Sequence, residues 1–422
     1  MSWSSIDDWR CQVDTATAKA NTRYPPRKGS RKHELITPPI STTSKKRKIT
    51  DNEQVLKSQP EWDDVSTISG RSSPVKQLAN LADKCSIKTL PMLNKGKNNF
   101  PDFLEKLLGP LERRVIKARD LFLESDVQTL RAYTSRNPGT AREFANCIDD
   151  DLVYSNPSLD QVHHYEPFLH PDFVYELLEA AEMCEREVRD EATWNLEVHF
   201  PLMVKALKGL RRPGDDCYVK IIPCTTAVIL PQFQVPTAAA HKVDFAITFQ
   251  PTDPSSQTQK NIDSWRPYMP GGSINHTDYG GLKERLIAIS VETKRTNDDY
   301  EKAKLQLIVW QAAQWKKFKT MHFQPEITLG IIIQGHDWYF LPSTRADHDA
   351  TQVTWCKQKI GGTNNAFEVY SLVWALRYLI GWAIDSQWEN FKQVMSDFKL
   401  FNNALCRDGD QFTEDNWSRS PG

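Results

Sequence analysis

The 422-residue sequence contains no apolar run that approaches the roughly 18 consecutive residues of a membrane-spanning helix, so no membrane partner is expected. Its first residues, MSWSSIDDWRCQVD, lack an apolar core and carry acids, which fits neither a secretory leader nor a transit peptide. The eight cysteines, at 11, 85, 147, 184, 217, 224, 356 and 406, form no CxxC pair. That spacing argues against a zinc ribbon and against a disulfide framework, and points to a reduced, intracellular protein. Gly271-Gly272 and Gly280-Gly281 lack the Lys-Ser/Thr of a phosphate-cradling loop. His163, His164, Glu166 and His170 lie in a proline-bounded connector without metal-ligand spacing.

What is present is unevenly distributed. Residues 1–100 hold 18 Lys/Arg against 10 Asp/Glu, and the remainder holds 35 against 44, so a basic arm is joined to an acidic body. An acidic body is a poor non-specific DNA binder, because that task needs a broad cationic surface. The arm, taken as 1–98, is rich in Ser, Thr, Pro, Lys and Asn and has few aromatics. Such a segment buries too little apolar surface to offset its ordering entropy and is expected to be disordered. Within it, Lys45-Lys46-Arg47-Lys48 is the kind of cluster read by nuclear import receptors, so a nuclear location is expected.

Residues 99–169 read as a helical segment and connector, 170–385 as the main domain, and 386–422 as a final helix and tail. The main domain alternates helix and strand. Helices are expected over 172–189 and from Glu191 to Leu210, with a break at Pro201, which lacks a backbone donor. Strands are expected over Val243–Phe249, Leu286–Thr293 and Ile327–Gln334, with a strong helix from Asp298 to Phe318 and another from Phe367 to Ile384. Residues 251–283 read as a long loop. The order implies an α/β layer domain.

The informative segment is Ile289-Ser290-Val291-Glu292-Thr293-Lys294. In a strand, residues two apart share a face, so Glu292 and Lys294 stand side by side, with Ile287, Ile289 and Val291 opposite. Asp244 is the one charge in the run Val243–Gln250. If the two strands pair, Asp244 and Glu292 meet about 5 Å apart across the ladder. Two such carboxylates repel, and a hard divalent cation, Mg²⁺ or Mn²⁺, is the simplest way to keep both ionised. On the residues alone, the Glu-x-Lys also fits a surface ion pair on an edge strand.

These residues resemble the PD-(D/E)xK nuclease superfamily, and in particular the nuclease-like proteins common in filamentous fungi. Asp244 matches the family's metal-binding aspartate, and Glu292-Thr293-Lys294 matches its (D/E)xK. Trp194-Asn195-Leu196-Glu197-Val198-His199 resembles the family's first core helix, where Glu197 would match an acid that assists the metal through water. Gln306-Leu307-Ile308-Val309-Trp310 resembles a Q-x-x-x-aromatic element whose glutamine contacts the metal-water shell or the DNA. No proline precedes Asp244, and the 251–283 insertion lengthens the gap to Glu292. The resemblance implies a restriction-endonuclease-like mixed central sheet flanked by helices. It also implies metal-dependent hydrolysis of nucleic acid, DNA above all, with Asp244 and Glu292 on the metal and Lys294 at the transition state. The alternative is a catalytically inactive nuclear accessory module on the same fold, binding nucleic acid or protein. A third reading, an interaction protein with no nucleic-acid role, would follow if Asp244 and Glu292 faced opposite sides of the sheet.

Overall fold

The computed structural model describes residues 73–92, 100–148, 152, 168–208, 210, 214–236, 238, 241–345 and 351–397. The basic cluster Lys45–Lys48 and the His163-His164 pair lie outside the described residues.

A mixed sheet is the frame. Its strands are β1 (Ile87–Pro91), β2 (Cys217–Pro223), β3 (Phe245–Pro251), β4 (Leu286–Lys294), β5 (Ile327–Gln334), β6 (Asp337–Phe340), β7 (Ser343–Arg345), β8 (Gln352–Cys356) and β9 (Gln358–Gly362), in the order β1-β8-β7-β5-β4-β3-β2, with β6 on β5 and β9 on β6. β4 and β5 are the central parallel pair, and β3 and β2 extend the sheet antiparallel. Every residue of β4 is buried, which its near-continuous apolar composition anticipates for a strand covered on both faces.

One face is covered by α4 (Pro171–Arg186), α6 (Phe200–Leu207), α9 (Ala366–Ala383) and α10 (Glu389–Ser396), after α1 (Pro74–Cys85), α2 (Asp102–Leu111) and α3 (Glu124–Arg136) earlier in the chain. Phe245, Ile247, Ile289, Val291, Leu329, Ile331 and Ile333 point into this layer. The other face is covered by α8 (Tyr300–Thr320), with α1 against it, and takes Ala246, Ile287 and Ile332. Gly330 in β5 lies so close under α8 that a Cβ there would stand 2.7 Å from Gln311 Nε2 and 2.8 Å from Leu307 Cδ2.

The alternation along β4 is interrupted. Ile247 pairs with Ile289 but Thr248 pairs with Ile287, so Ala288 is an extra residue, a β-bulge. The bulge reverses the phase. Ile287, expected beside Ile289 and Val291, instead packs in the cluster under α8. Beyond the bulge the alternation runs cleanly through Glu292 to Lys294.

Several boundaries differ from expectation. The disordered arm does not extend to 98: α1 is capped by the Ser73 hydroxyl and started by Pro74, and β1 pairs parallel with β8. Leu78 and Leu81 supply the helix's apolar contacts, too few to stand out in a polar sequence. The divisions at 99, 170 and 386 do not separate bodies either. Leu104 and Leu107 of α2, Leu177 of α4, Leu376 of α9 and Phe391 of α10 share one core cluster. Residues 251–283 are not a plain loop: Ser256 caps α7 (Gln257–Trp265), which buries Ile262 and Trp265. The insertion then lays Ser273, Asn275, His276 and Thr277, each buried, against α8, where His276 meets the Trp310 ring edge-on at 4.3 Å.

Candidate active site

The site forms where β4 leaves the sheet. Pro201 sits in the first turn of α6. Ahead of it, α5 (Glu191–Trp194) passes into a π-helical turn over Asn195–His199. Such single π turns recur where a helix must re-aim side chains. Asp190 caps α5 through the Thr193 N–H at 2.8 Å. This fixes Glu191 at the helix start, facing the end of β4.

Asp244 stands one residue ahead of β3, in a bend rather than in the strand expected from its neighbours. The register that pairs Phe245 with Val291 sets it beside Glu292. Its N–H donates to the Val291 carbonyl at 3.0 Å. Its carboxylate takes the place of a backbone acceptor at the end of the ladder: Oδ2 accepts from both the N–H and the hydroxyl of Thr293, each at 2.8 Å.

Glu292 is 1% exposed. Its Oε1 accepts from Lys294 Nζ at 2.6 Å, while its Oε2 is buried with no hydrogen-bond partner. Lys294 also donates to Glu191 Oε2 at 3.2 Å and to the Thr293 carbonyl at 2.6 Å, so its three protons are all engaged. Burial pushes the Glu292 carboxyl well above the usual glutamate range, and the negative charges of Asp244 and Glu191 push it the same way, only partly countered by Lys294. Burial pulls the Lys294 ammonium down, but Glu292, Glu191 and Asp244 outweigh it and the group ends above the usual lysine value. Glu191 is raised by burial too, with Lys294 opposing. Two carboxylates, Glu292 and Glu191, therefore bond one ammonium, and Asp244 adds its negative charge through space.

The residues expected from sequence are placed as follows. Glu292 and Lys294 bond directly, and Asp244, held on Thr293 between them, is near enough for its charge to act on both. Gln306, on the exposed margin of α8, donates Nε2 to the Lys242 carbonyl at 3.4 Å and so touches the segment leading into Asp244; its Oε1 is buried without a partner. Glu197 does not join them. It is exposed, paired with Arg189, and accepts from Cys184 Sγ at 3.9 Å. The acid that reaches Lys294 from this helix is Glu191. Six residues along a helix amount to roughly 9 Å of rise and about one and two-thirds turns, so the two acids cannot serve the same point. The Asp190 cap was the available signal, since it marks which acid begins the helix. Beside Lys294, Arg295 pairs with Asp298 at 3.0 Å and Lys304 with Glu301 at 2.5 Å, while Lys302 is exposed. Trp310 and Trp315 are core side chains.

The family described as the PD-(D/E)XK nuclease superfamily matches residues 140–388, more than half of the chain. The chain belongs to this superfamily. No curated protein and no solved structure matches it. The match takes in the helical layer from residue 140, the whole of α4 to α9, and β2 to β9. The superfamily acts on nucleic acid, and its members typically use divalent metals.

The residues present fit such a metal. Among the described residues no group of three or more His, Cys, Asp and Glu is arranged to hold an ion. A two-carboxylate site, completed by waters and substrate oxygens, is what Mg²⁺ prefers. The buried and unpartnered Glu292 Oε2 is an acceptor that lacks a cation or donor, and leaving it so is costly.

Proposed function

We propose that this superfamily member is a divalent-cation-dependent nuclease that hydrolyses phosphodiester bonds in DNA. Asp244 and Glu292 would hold Mg²⁺ or Mn²⁺. When bound, that ion supplies Lewis acidity at the scissile phosphate and a more acidic water. Lys294 keeps its charge in a buried position, where it stabilises negative charge developing on the phosphate. Glu191 holds the Lys294 amine from the open side, by the longest of its three hydrogen bonds. The Thr293 N–H and hydroxyl fix the Asp244 carboxylate, so Oδ2 is taken and Oδ1 is left for the ion. The observation that carries this reading is the orphaned Glu292 Oε2 beside a second carboxylate and a charged lysine.

The test is direct. Purified full-length protein is incubated with Mg²⁺ or Mn²⁺ and a panel of supercoiled, linear and single-stranded DNA, and with RNA. Cleavage that needs the metal and disappears in Glu292→Ala supports the proposal. Failure to cut any substrate in the panel removes it. Cleavage of RNA alone would keep the chemistry and overturn the choice of DNA.

A nuclear site of action is proposed on the Lys45–Lys48 cluster. Replacing its four basic residues by alanine should move a fluorescent fusion from nucleus to cytoplasm. An unchanged distribution would remove the import assignment without touching the chemistry.

A further inference from the structure

The middle residue of Glu292-Thr293-Lys294 points to the opposite face of the strand from its neighbours, toward the helical layer. There Asn195 Nδ2 donates to Thr293 Oγ1 at 2.9 Å, and Thr293 Oγ1 in turn donates to Asp244 Oδ2. Asn195 Oδ1 lies 3.0 Å from His199 Nδ1, one helical step along the π turn. His199 Nε2 lies 3.0 Å from the Gly335 carbonyl. Gly335 holds a left-handed turn (φ 55°) between β5 and β6, and its N–H donates to the Lys294 carbonyl at 2.8 Å. A Cβ at Gly335 would fall 2.2 Å from Thr296 Oγ1. The chain of contacts therefore closes a loop from Asp244, through Thr293, Asn195, His199 and Gly335, to Lys294.

His199 is 0% exposed and walled by Trp194, stacked at 5.5 Å, and Trp338, edge-on at 5.9 Å. Burial pulls His199 down to about 4, so the ring holds one N–H against two acceptors, Asn195 Oδ1 and the Gly335 carbonyl. Given to Asn195, that proton anchors a buried polar network that rigidifies what it touches. The network also sits behind the carboxylate rather than in front of it. That is where outer-shell hydrogen bonds orient metal ligands.

We infer that Asn195 and His199 are positioning residues for Asp244: through Thr293 they hold Oδ2 turned inward, so that Oδ1 is presented to the cation. This rests on the nuclease reading for its purpose, but it concerns metal affinity and can be measured without cleavage. Neither residue touches substrate or metal.

The experiment is calorimetric titration of the full chain with MnCl₂, beside thermal melting in chelator. Asn195→Ala is expected to weaken Mn²⁺ binding roughly 10-fold or more, the scale of lost outer-shell contacts. His199→Asn, whose amide reaches the Nδ1 position and so keeps the contact to Asn195, is expected to retain more affinity than His199→Gln, whose amide reaches the Nε2 position. A merely structural role would lower melting temperature in both and leave no such order in affinity. Should Asn195→Ala fail to fold, Thr293→Val against Thr293→Ser repeats the comparison, with affinity kept only by the serine. Unchanged Mn²⁺ affinity in Asn195→Ala and Thr293→Val overturns the inference, as does a loss that tracks melting temperature alone. Mn²⁺ binding that depends on Asn195 in a protein that cuts no nucleic acid would sink the nuclease reading and leave the relay standing. Absence of Mn²⁺ binding to the unmodified chain overturns both.

Discussion

Two lysines are buried under the same domain, and they are handled in opposite ways. Lys294 ends β4 among Glu292, Glu191 and Asp244, and its ammonium is held above the usual lysine value despite burial. Lys317, near the far end of α8, is 0% exposed and meets the Ser273 carbonyl at 2.8 Å, the Met269 sulfur at 3.2 Å and the Phe233 ring at 5.5 Å. No carboxylate faces it among these contacts, and burial pulls it down to about 7. His276, in the same cluster, is lowered by burial to about 3, with Lys317 adding to the effect. Burying a charge is resolved either by pairing it or by removing the proton. The insertion side leans toward the second route, loosening the hold on the Lys317 proton rather than pairing its charge. The β4 end uses the first and carries more carboxylate than its lysine can neutralise. Only there would a cation lower the energy of what is already present.

That contrast can be broken most sharply at Lys294. Lys294→Met should lower kcat by about 100- to 1,000-fold, on the scale of losing one transition-state electrostatic contact, in a metal-dependent cleavage assay. A variant that keeps within a few-fold of full rate would make the lysine structural.

The next effect is in pH. Because the folded Glu292 carboxyl is raised above its ordinary value of 4.5, its contribution to stability is complete below 4.5 and is lost as pH rises through the raised value. In chelator, melting temperature should therefore fall over that interval relative to Glu292→Gln, which has no such proton. Cation binding must expel the same proton, so Mn²⁺ affinity should climb with pH by up to about 10-fold per unit until Glu292 is ionised. A pH-independent affinity would mean that Glu292 is not the group being neutralised.

Smaller effects separate the two acids of the α5–α6 segment. Glu191→Gln should reduce kcat several-fold, up to about 10-fold, through looser placement of the Lys294 amine. Glu197→Gln should change it by less than about twofold, since an exposed pair contributes little. The reverse order would restore Glu197 to the site.

The mildest expectation lies at Lys317. Lys317→Met should leave cleavage unaltered and leave urea-denaturation stability unchanged or higher by about 1 kcal/mol, because an apolar side chain of similar volume replaces a poorly compensated amine. A loss above about 2 kcal/mol would show that the hydrogen bond to Ser273 outweighs the cost of burying the amine.

Much of this was legible in the sequence where one rule acts alone. The apolar runs of β4 and β5 and the long stripe of α8 were read to within two residues, because buried parallel strands and the helix between them have strong patterns. Glu292 and Lys294 followed from the two-residue period. What escaped reading depends on contacts distant in sequence. Asp244 leaves strand geometry because its carboxylate, not its carbonyl, completes the ladder to Thr293. Glu191 and not Glu197 faces the site because a cap and a π turn fix the helix phase. The buried polar run Ser273–Thr277 looks like loop by composition, yet it is held by Asn275 Nδ2 donating to the Arg285 carbonyl at 2.7 Å. β1 joins a strand more than 250 residues away, a pairing that no local pattern announces.

The extra residue at Ala288 has a consequence for how this chain tolerates change. The 251–283 segment attaches to the upstream end of β4, and the chemistry sits at the downstream end. In an unbroken strand, adding or removing one residue upstream would rotate every later side chain by half a turn and carry Glu292 and Lys294 to the wrong side. A bulge absorbs such a step locally, as a slip joint absorbs expansion in a pipe. A residue gained or lost near the upstream end of β4 is thereby taken up before it reaches Glu292 and Lys294, and the reactive pair keeps its aim.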